Sequence, residues 1–177
     1  MSEPILTVDH LRFGFRDQQL YQDLSFHLDV GSMTSLVGPN GVGKTTLIRL
    51  LMGQLKLQAG TIRFRKQPSV RLGYVPQFRN VDAEYPLSIR SFIQLRQLDH
   101  LFFWHTAKEK AALARVIEAT HLTQIANTRL GMASGGEKQK AYLAQALLDE
   151  PNFLILDEST ASLDVNTKHE LMDLVQE

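Results

Sequence analysis

An α/β fold is predicted by three features of this 177-residue sequence. Residues 38–46 read Gly38-Pro39-Asn40-Gly41-Val42-Gly43-Lys44-Thr45-Thr46, a Gly-x-x-x-x-Gly-Lys-Thr loop set between the apolar pair Leu36-Val37 and a helical pattern that begins at Leu47. Period-two alternation near the N-terminus gives way to helical periodicity between Ser88 and Glu150. An apolar run then returns at Phe153-Leu154-Ile155-Leu156, short enough for a buried strand, and leads directly into Asp157-Glu158.

Taken in order, Ile5-Leu6-Thr7-Val8 and the alternating Leu24, Phe26, Leu28 and Val30 predict two half-buried strands. Met33 to Val37 is expected to be the strand feeding the glycine loop, and Lys44 to Met52 a helix stopped by Gly53. A turn at Gln58-Ala59-Gly60 should precede a strand from Thr61 to Arg65, and Arg71 to Val75 should form another, closed by Pro76. In the helical block, Thr106-Ala107-Lys108-Glu109 fits a capping box, with Leu113, Val116, Ile117 and Thr120 following at helical spacing. Leu171, Leu174 and Val175 predict a last helix that runs into Glu177 without a stop signal, so the chain is expected to be truncated at its C-terminus.

Composition narrows the function classes. The length suits one domain with a real core. Nineteen basic residues balance nineteen acidic ones, so no global positive field points to nucleic acid. Cysteine is absent, which excludes a disulfide scaffold and thiolate chemistry. No apolar run is long enough to span a bilayer, and Met1-Ser2-Glu3-Pro4 does not open a signal peptide, so a soluble, untargeted chain is expected. His100 and His105 are five apart, on different sides of any helix, and predict no histidine metal site.

The loop carries the chemistry. Its glycines let main-chain N–H groups converge on phosphate oxygens, Lys44 can reach the terminal phosphates, and the Thr45 hydroxyl can ligate Mg²⁺. A helix opening at Lys44 adds the positive end of its dipole. Asp157 at the end of a second core strand can hold Mg²⁺, and Glu158 can polarise a water for attack on a phosphate; the plainer alternative for the pair is a solvated acidic turn. Ser134-Gly135-Gly136-Glu137 fits a capping box, yet two glycines in a first helical turn weaken a helix by about 1 kcal/mol each, which suggests a backbone that something approaches closely.

With these residues in place the chain resembles the ABC ATPase family, the nucleotide-binding subunits of ABC transporters, over nearly its whole length. The resemblance is carried by the glycine loop, Tyr74-Val75-Pro76-Gln77, Ala133-Ser134-Gly135-Gly136-Glu137, Phe153 to Glu158, and Ala161-Ser162-Leu163-Asp164. It implies a P-loop NTPase with a RecA-like core (about 1–77 and 151–177), an N-terminal antiparallel β subdomain, and a helical subdomain inserted at 78–150. It implies ATP and Mg²⁺ as ligands, residues Gly38 to Thr46 around the phosphates, and Glu158 as catalytic base. Gln77 would contact Mg²⁺ and sense the membrane partner. Ser134 to Glu137 would complete an ATP site on the opposing subunit, and Asp164 would join the two subunits. Phe15, with Phe13 as its competitor, stands where an aromatic stacks on adenine; a strand aromatic in the core is the alternative. Leu101-Phe102-Phe103-Trp104 falls where a permease docks, although four successive large apolar residues cannot share one helix face.

By resemblance the partners are a second copy in a head-to-tail homodimer, an integral membrane permease and, indirectly, a substrate-binding protein, on the cytoplasmic face of the membrane. The segments Arg71–Gln77 and Tyr85–Ile89, with Glu at 137, look like the zinc and manganese uptake branch; an iron-chelate importer, or a nucleotide-binding remnant unable to hydrolyse ATP, are the alternatives. Ala133 and Ser159 depart mildly from the family pattern. More serious is the switch histidine, which the family carries on a strand beyond the final helix and between the strands of the phosphate loop and of Asp157; the chain ends before it, and His169 does not take its place. C-terminal strands are therefore expected to be missing, with unpaired inner sheet edges, aggregation and weak hydrolysis as consequences.

Overall fold

The computed structural model describes residues 3–16, 18–76, 82–97 and 106–157. It divides into two compact units, residues 1–70 and 71–177.

In the first unit, β1 (Leu6–Phe15) lies between β2 (Gln18–Leu28) and β3 (Ala59–Phe64), antiparallel to both. Alternation alone would put Leu6 and Val8 on one face and Leu11 and Phe13 on the other, yet all four are buried. The ladder shifts register between Val8 and Leu11, and His10 takes a positive φ of 48°. This bulge absorbs one residue and returns the second apolar pair to the core face. Gly60 sits against it: a Cβ there would lie 2.4 Å from the His10 carbonyl oxygen, so only glycine fits. Ala59 and Gly60 accordingly belong to β3 rather than to the expected preceding turn, and Val30 lies beyond the end of β2.

Helix α1 (Lys44–Leu51) buries Leu47, Ile48 and Leu50. It ends as expected at Gly53, whose φ of 69° lets Gln54 donate back to the Arg49 carbonyl at 2.9 Å. The expected strand at Met33 to Val37 does not form: the segment has no regular structure, and Met33, Leu36 and Val37 are exposed, Val37 by 88%. Its short apolar end before the glycine loop suits a strand, but a strand exists only in a ladder, and no described strand pairs with it.

In the second unit, β4 (Leu72–Val75) and β5 (Phe153–Leu156) pair in parallel, Leu72 opposite Phe153 and Val75 opposite Leu156. Between them run α2 (Ile89–Gln94), α3 (Ala107–Ala119) and α4 (Gly135–Leu147), with short 3₁₀ turns. Each helix starts on a side-chain cap. Ser88 accepts from the Ser91 N–H, while Thr106 with Glu109 and Ser134 with Glu137 form reciprocal capping boxes. The core joins Ile89 and Ile93 of α2, Leu113 and Ile117 of α3, Leu122, Leu130, and Ala141 and Ala144 of α4. On a separate stretch of α4, Leu143 and Ala146 pack against Val75 of β4. The strand that carries Asp157 is thus tied, through β4, to the helix that opens at Ser134.

Candidate functional site: a phosphate-binding loop and a buried carboxylate

In the first unit the loop that precedes α1 has a defined shape. Gly41 and Gly43 take positive φ values of 81° and 111°, and Gly43 is the N-cap of α1. Glycine has no side chain to give, so the first-turn N–H groups lack the oxygen cap that α2, α3 and α4 possess. The first helical bond runs from the Leu47 N–H to the Gly43 carbonyl at 2.9 Å, so the N–H groups of Lys44, Thr45 and Thr46 have no acceptor within the helix. No acidic residue occupies that turn. The Lys44 ammonium donates to the carbonyls of Gly38 at 2.7 Å and Pro39 at 3.0 Å, which holds a positive charge over the loop. Unspent N–H groups, a helix N-terminus and a cation on one loop are the features that an anion site requires.

Tyr21, on β2, supports the loop from below in a way that no sequence signal announces. Its hydroxyl donates to the Gly43 carbonyl at 2.6 Å, so that oxygen accepts from both Tyr21 and Leu47. A Cβ at Gly43 would lie 2.6 Å from the same hydroxyl oxygen, and positive φ would strain it further. Burial raises the Tyr21 pKa above its ordinary 10.0, outweighing a main-chain hydrogen bond that acts the other way. The folded state therefore holds the phenolic proton more tightly than the unfolded one. That contribution to stability is complete below pH 10, and it disappears as pH rises through the folded value. Tyr21→Phe is expected to lower stability by about 1 kcal/mol, the value of one neutral hydrogen bond, and to remove this alkaline component. Denaturant midpoints at neutral and strongly alkaline pH check both; equal alkaline losses in the two proteins would show that Tyr21 is not the titrating support.

At the far end of β1 the two candidate aromatics separate. Phe13 is 6% exposed and Phe15 51% exposed, the rings meeting edge to face with centroids 5.0 Å apart. Phe13 is a core residue; Phe15 is the aromatic that a planar ligand can reach. The Gln58 side-chain amide fixes the strand next to it, exchanging hydrogen bonds with the N–H and C=O of Gly14 at 3.0 and 2.9 Å.

In the second unit Asp157 is 5% exposed, so it is no solvated turn residue. Its N–H donates to the Val75 carbonyl at 3.0 Å, and its carboxylate accepts from the Tyr74 hydroxyl at 3.1 Å. Ser134 and Glu137 use their side chains on one another's main chain, at 3.3 and 2.7 Å. The glycines between them have no neighbour within 4 Å of an added Cβ, in contrast to Gly131 close by, where a Cβ would sit 2.3 Å from the Asp82 carbonyl oxygen. Gly131 is required by this chain's own packing, whereas Gly135 and Gly136 are not. Gln77, Glu158, Asp164, His169 and Leu101 to Trp104 lie outside the described residues.

The Thr45 hydroxyl in the first unit and, separately, the Asp157 carboxylate in the second are each hard oxygen donors of the kind that suits Mg²⁺. Among the described residues no cluster of three or more His, Cys, Asp or Glu side chains could hold a metal alone, and no helix is long and apolar enough to cross a membrane.

Residues 21–161 match the ABC transporter family. The zinc import ATP-binding protein ZnuC of Photorhabdus laumondii subsp. laumondii is 36% identical over 173 residues, 98% of this chain and 63% of that protein. The protein of the same name from Pseudomonas syringae pv. syringae is 34% identical over 175 residues, 99% of this chain and 63% of its own length. The chain therefore spans less than two thirds of these relatives. An ABC transporter assigned to the metal-chelate type, solved in an inward-facing conformation, superposes with a TM-score of 0.85 at 26% identity, over 98% of this chain and 67% of the other. A nucleotide-free ATP-binding cassette superposes with a TM-score of 0.83 at 18% identity, covering 98% and 76%, and shares the fold. With its α/β fold, its glycine loop and a family match across most of its length, the chain belongs to the ABC transporter family.

Proposed function

We propose that this chain binds Mg²⁺·ATP and belongs to the ATP-hydrolysing subunit of an importer for a divalent metal cation, zinc or manganese. The observation that carries the reading is the uncapped N-terminus of α1, with its N–H groups and the Lys44 ammonium gathered on Gly38–Thr46. Lys44 would neutralise the terminal phosphates and Thr45 and Asp157 would hold Mg²⁺, which when bound draws charge from the γ-phosphoryl group. Glu158 would accept a proton from the attacking water, Phe15 would stack on adenine, and Gln77 would link the site to a permease. The cation is supported by the zinc import names of the relatives, and would be selected by the permease and a binding protein on the far side of the membrane.

A head-to-tail pair of subunits is supported by the unoccupied space around Gly135 and Gly136. There Ser134 to Glu137 would close over nucleotide held by the partner, and Asp164 would meet the opposing subunit. Gly136→Ala tests this pairing. It should leave the fold intact or stabilise it by ~0.5 kcal/mol, since Ala is the better helix former. Turnover by the full gene product should fall by up to about 100-fold if a nucleotide must approach that backbone. Unchanged turnover would sink the pairing role. The function itself is tested by titrating the chain with ATP, ADP and inorganic phosphate, and by measuring radiolabelled zinc and manganese uptake in cells lacking the gene. Absence of nucleotide binding would overturn the ATP reading, and unaltered uptake of both metals would overturn the cargo.

A further inference from the structure

β4 and β5 run parallel and in register, so Tyr74 stands opposite Ile155, two residues before Asp157. Asp157 continues the ladder for one residue more through its N–H bond to the Val75 carbonyl, which fixes its main chain. The Tyr74 hydroxyl reaches over from the neighbouring strand and donates to Oδ2. Among the described residues, one main-chain bond and one side-chain bond thus hold a carboxylate that is almost wholly buried. The donor type also matters. Arginine or lysine in that place would cancel the negative charge, whereas a phenol holds the carboxylate and leaves its charge for a cation. Phenylalanine would fill the same space and leave the carboxylate short of a donor.

We propose that Tyr74 is a positioning residue for magnesium, its hydroxyl holding Asp157 in the setting in which the carboxylate meets the Mg²⁺ that accompanies ATP. The inference rests on the magnesium role proposed for Asp157. Its test is Tyr74→Phe in the full chain, with binding of a fluorescent ATP analogue followed in EDTA and then across a Mg²⁺ titration. The Mg²⁺ concentration giving half of the metal-dependent gain in affinity should rise about 10-fold or more, the scale of one hydrogen bond to a charged acceptor. Affinity in EDTA should not move, because nothing in residues 38–46 is altered. Tyr74→Phe should add nothing to Asp157→Asn, since the pair acts through one contact.

A Mg²⁺ midpoint equal to that of the wild type overturns the positioning role and leaves the nucleotide reading standing. A wild-type chain whose ATP affinity ignores Mg²⁺, or is unmoved by Asp157→Asn, overturns the role of Asp157 and the inference with it. Should Tyr74→Phe fail to fold, 3-fluorotyrosine at position 74 keeps both shape and donor. Its fluorine resonance should shift when Mg²⁺ is added to the ATP-loaded chain, and a stationary resonance overturns the proposal.

Discussion

Lys44→Ala is expected to weaken Mg²⁺·ATP binding by on the order of 10²- to 10³-fold while leaving the chain folded. A unit charge about 4 Å from a phosphate contributes about 4 kcal/mol at an effective dielectric of 20. The helix dipole at α1 contributes only about 0.3–1 kcal/mol, so the ammonium dominates the electrostatics of the loop. Lys44→Ala gives up the two bonds to the Gly38 and Pro39 carbonyls, but the turn keeps the positive φ of Gly41 and Gly43, and the Gly43 carbonyl stays held by Tyr21 and Leu47. Glu158→Gln separates binding from chemistry, because it keeps the loop and removes only the proposed base; in the full gene product it should retain affinity and lose turnover. Lys44→Ala with wild-type affinity, at an unchanged melting temperature, would show that Gly38–Thr46 is a structural turn and no phosphate site.

What could be read from the sequence divides along the range of the interaction. The stop of α1 at Gly53 and the boxes at Thr106 and Ser134 depend on residues within about one turn of each other, and the structure contains them where the sequence places them. β4 and β5 were legible as apolar runs bounded by breakers. The β1 bulge was not, because it becomes visible only when the register with two neighbouring strands is known. Met33 to Val37 failed for a related reason, since an apolar segment before the loop shows a preference for a ladder without supplying its partner.

The site divides in the same way. The residues of Gly38–Thr46 and Asp157 were readable as candidates from the sequence, while the hydroxyls that hold them were not. Tyr21 lies 22 residues before Gly43, and Tyr74 lies 83 before Asp157. Neither tyrosine differs in sequence from an ordinary strand aromatic. The capping box at Ser134 was readable as either a helix start or a signature. Here the structure adds what the sequence lacked, which is open space around Gly135 and Gly136.

Gly131→Ala should be among the most destabilising single-methyl changes in the second unit, at about 3 kcal/mol. An added Cβ would lie 2.3 Å from the Asp82 carbonyl oxygen and 2.5 Å from that of Ala83, and both are main-chain atoms that cannot rotate away. Relief would have to move either residues 82–83 or the 3₁₀ turn Leu130–Met132. The turn is pinned by the Leu130 N–H bond to the Leu87 carbonyl at 2.9 Å, by the bridge between Ser88 and Arg129, and by the fully buried Leu130 side chain. Displacing it withdraws Leu130 from the helical core and shifts Ala133 and Ser134, so α4 loses both packing and register at its start. Gly135→Ala adds the same methyl four residues further on, with nothing within 4 Å of it, and is the matched control. Denaturant midpoints of the two variants should differ by most of that 3 kcal/mol; equal midpoints would mean that the 82–83 segment yields freely and that this close approach does not hold the start of α4 in place.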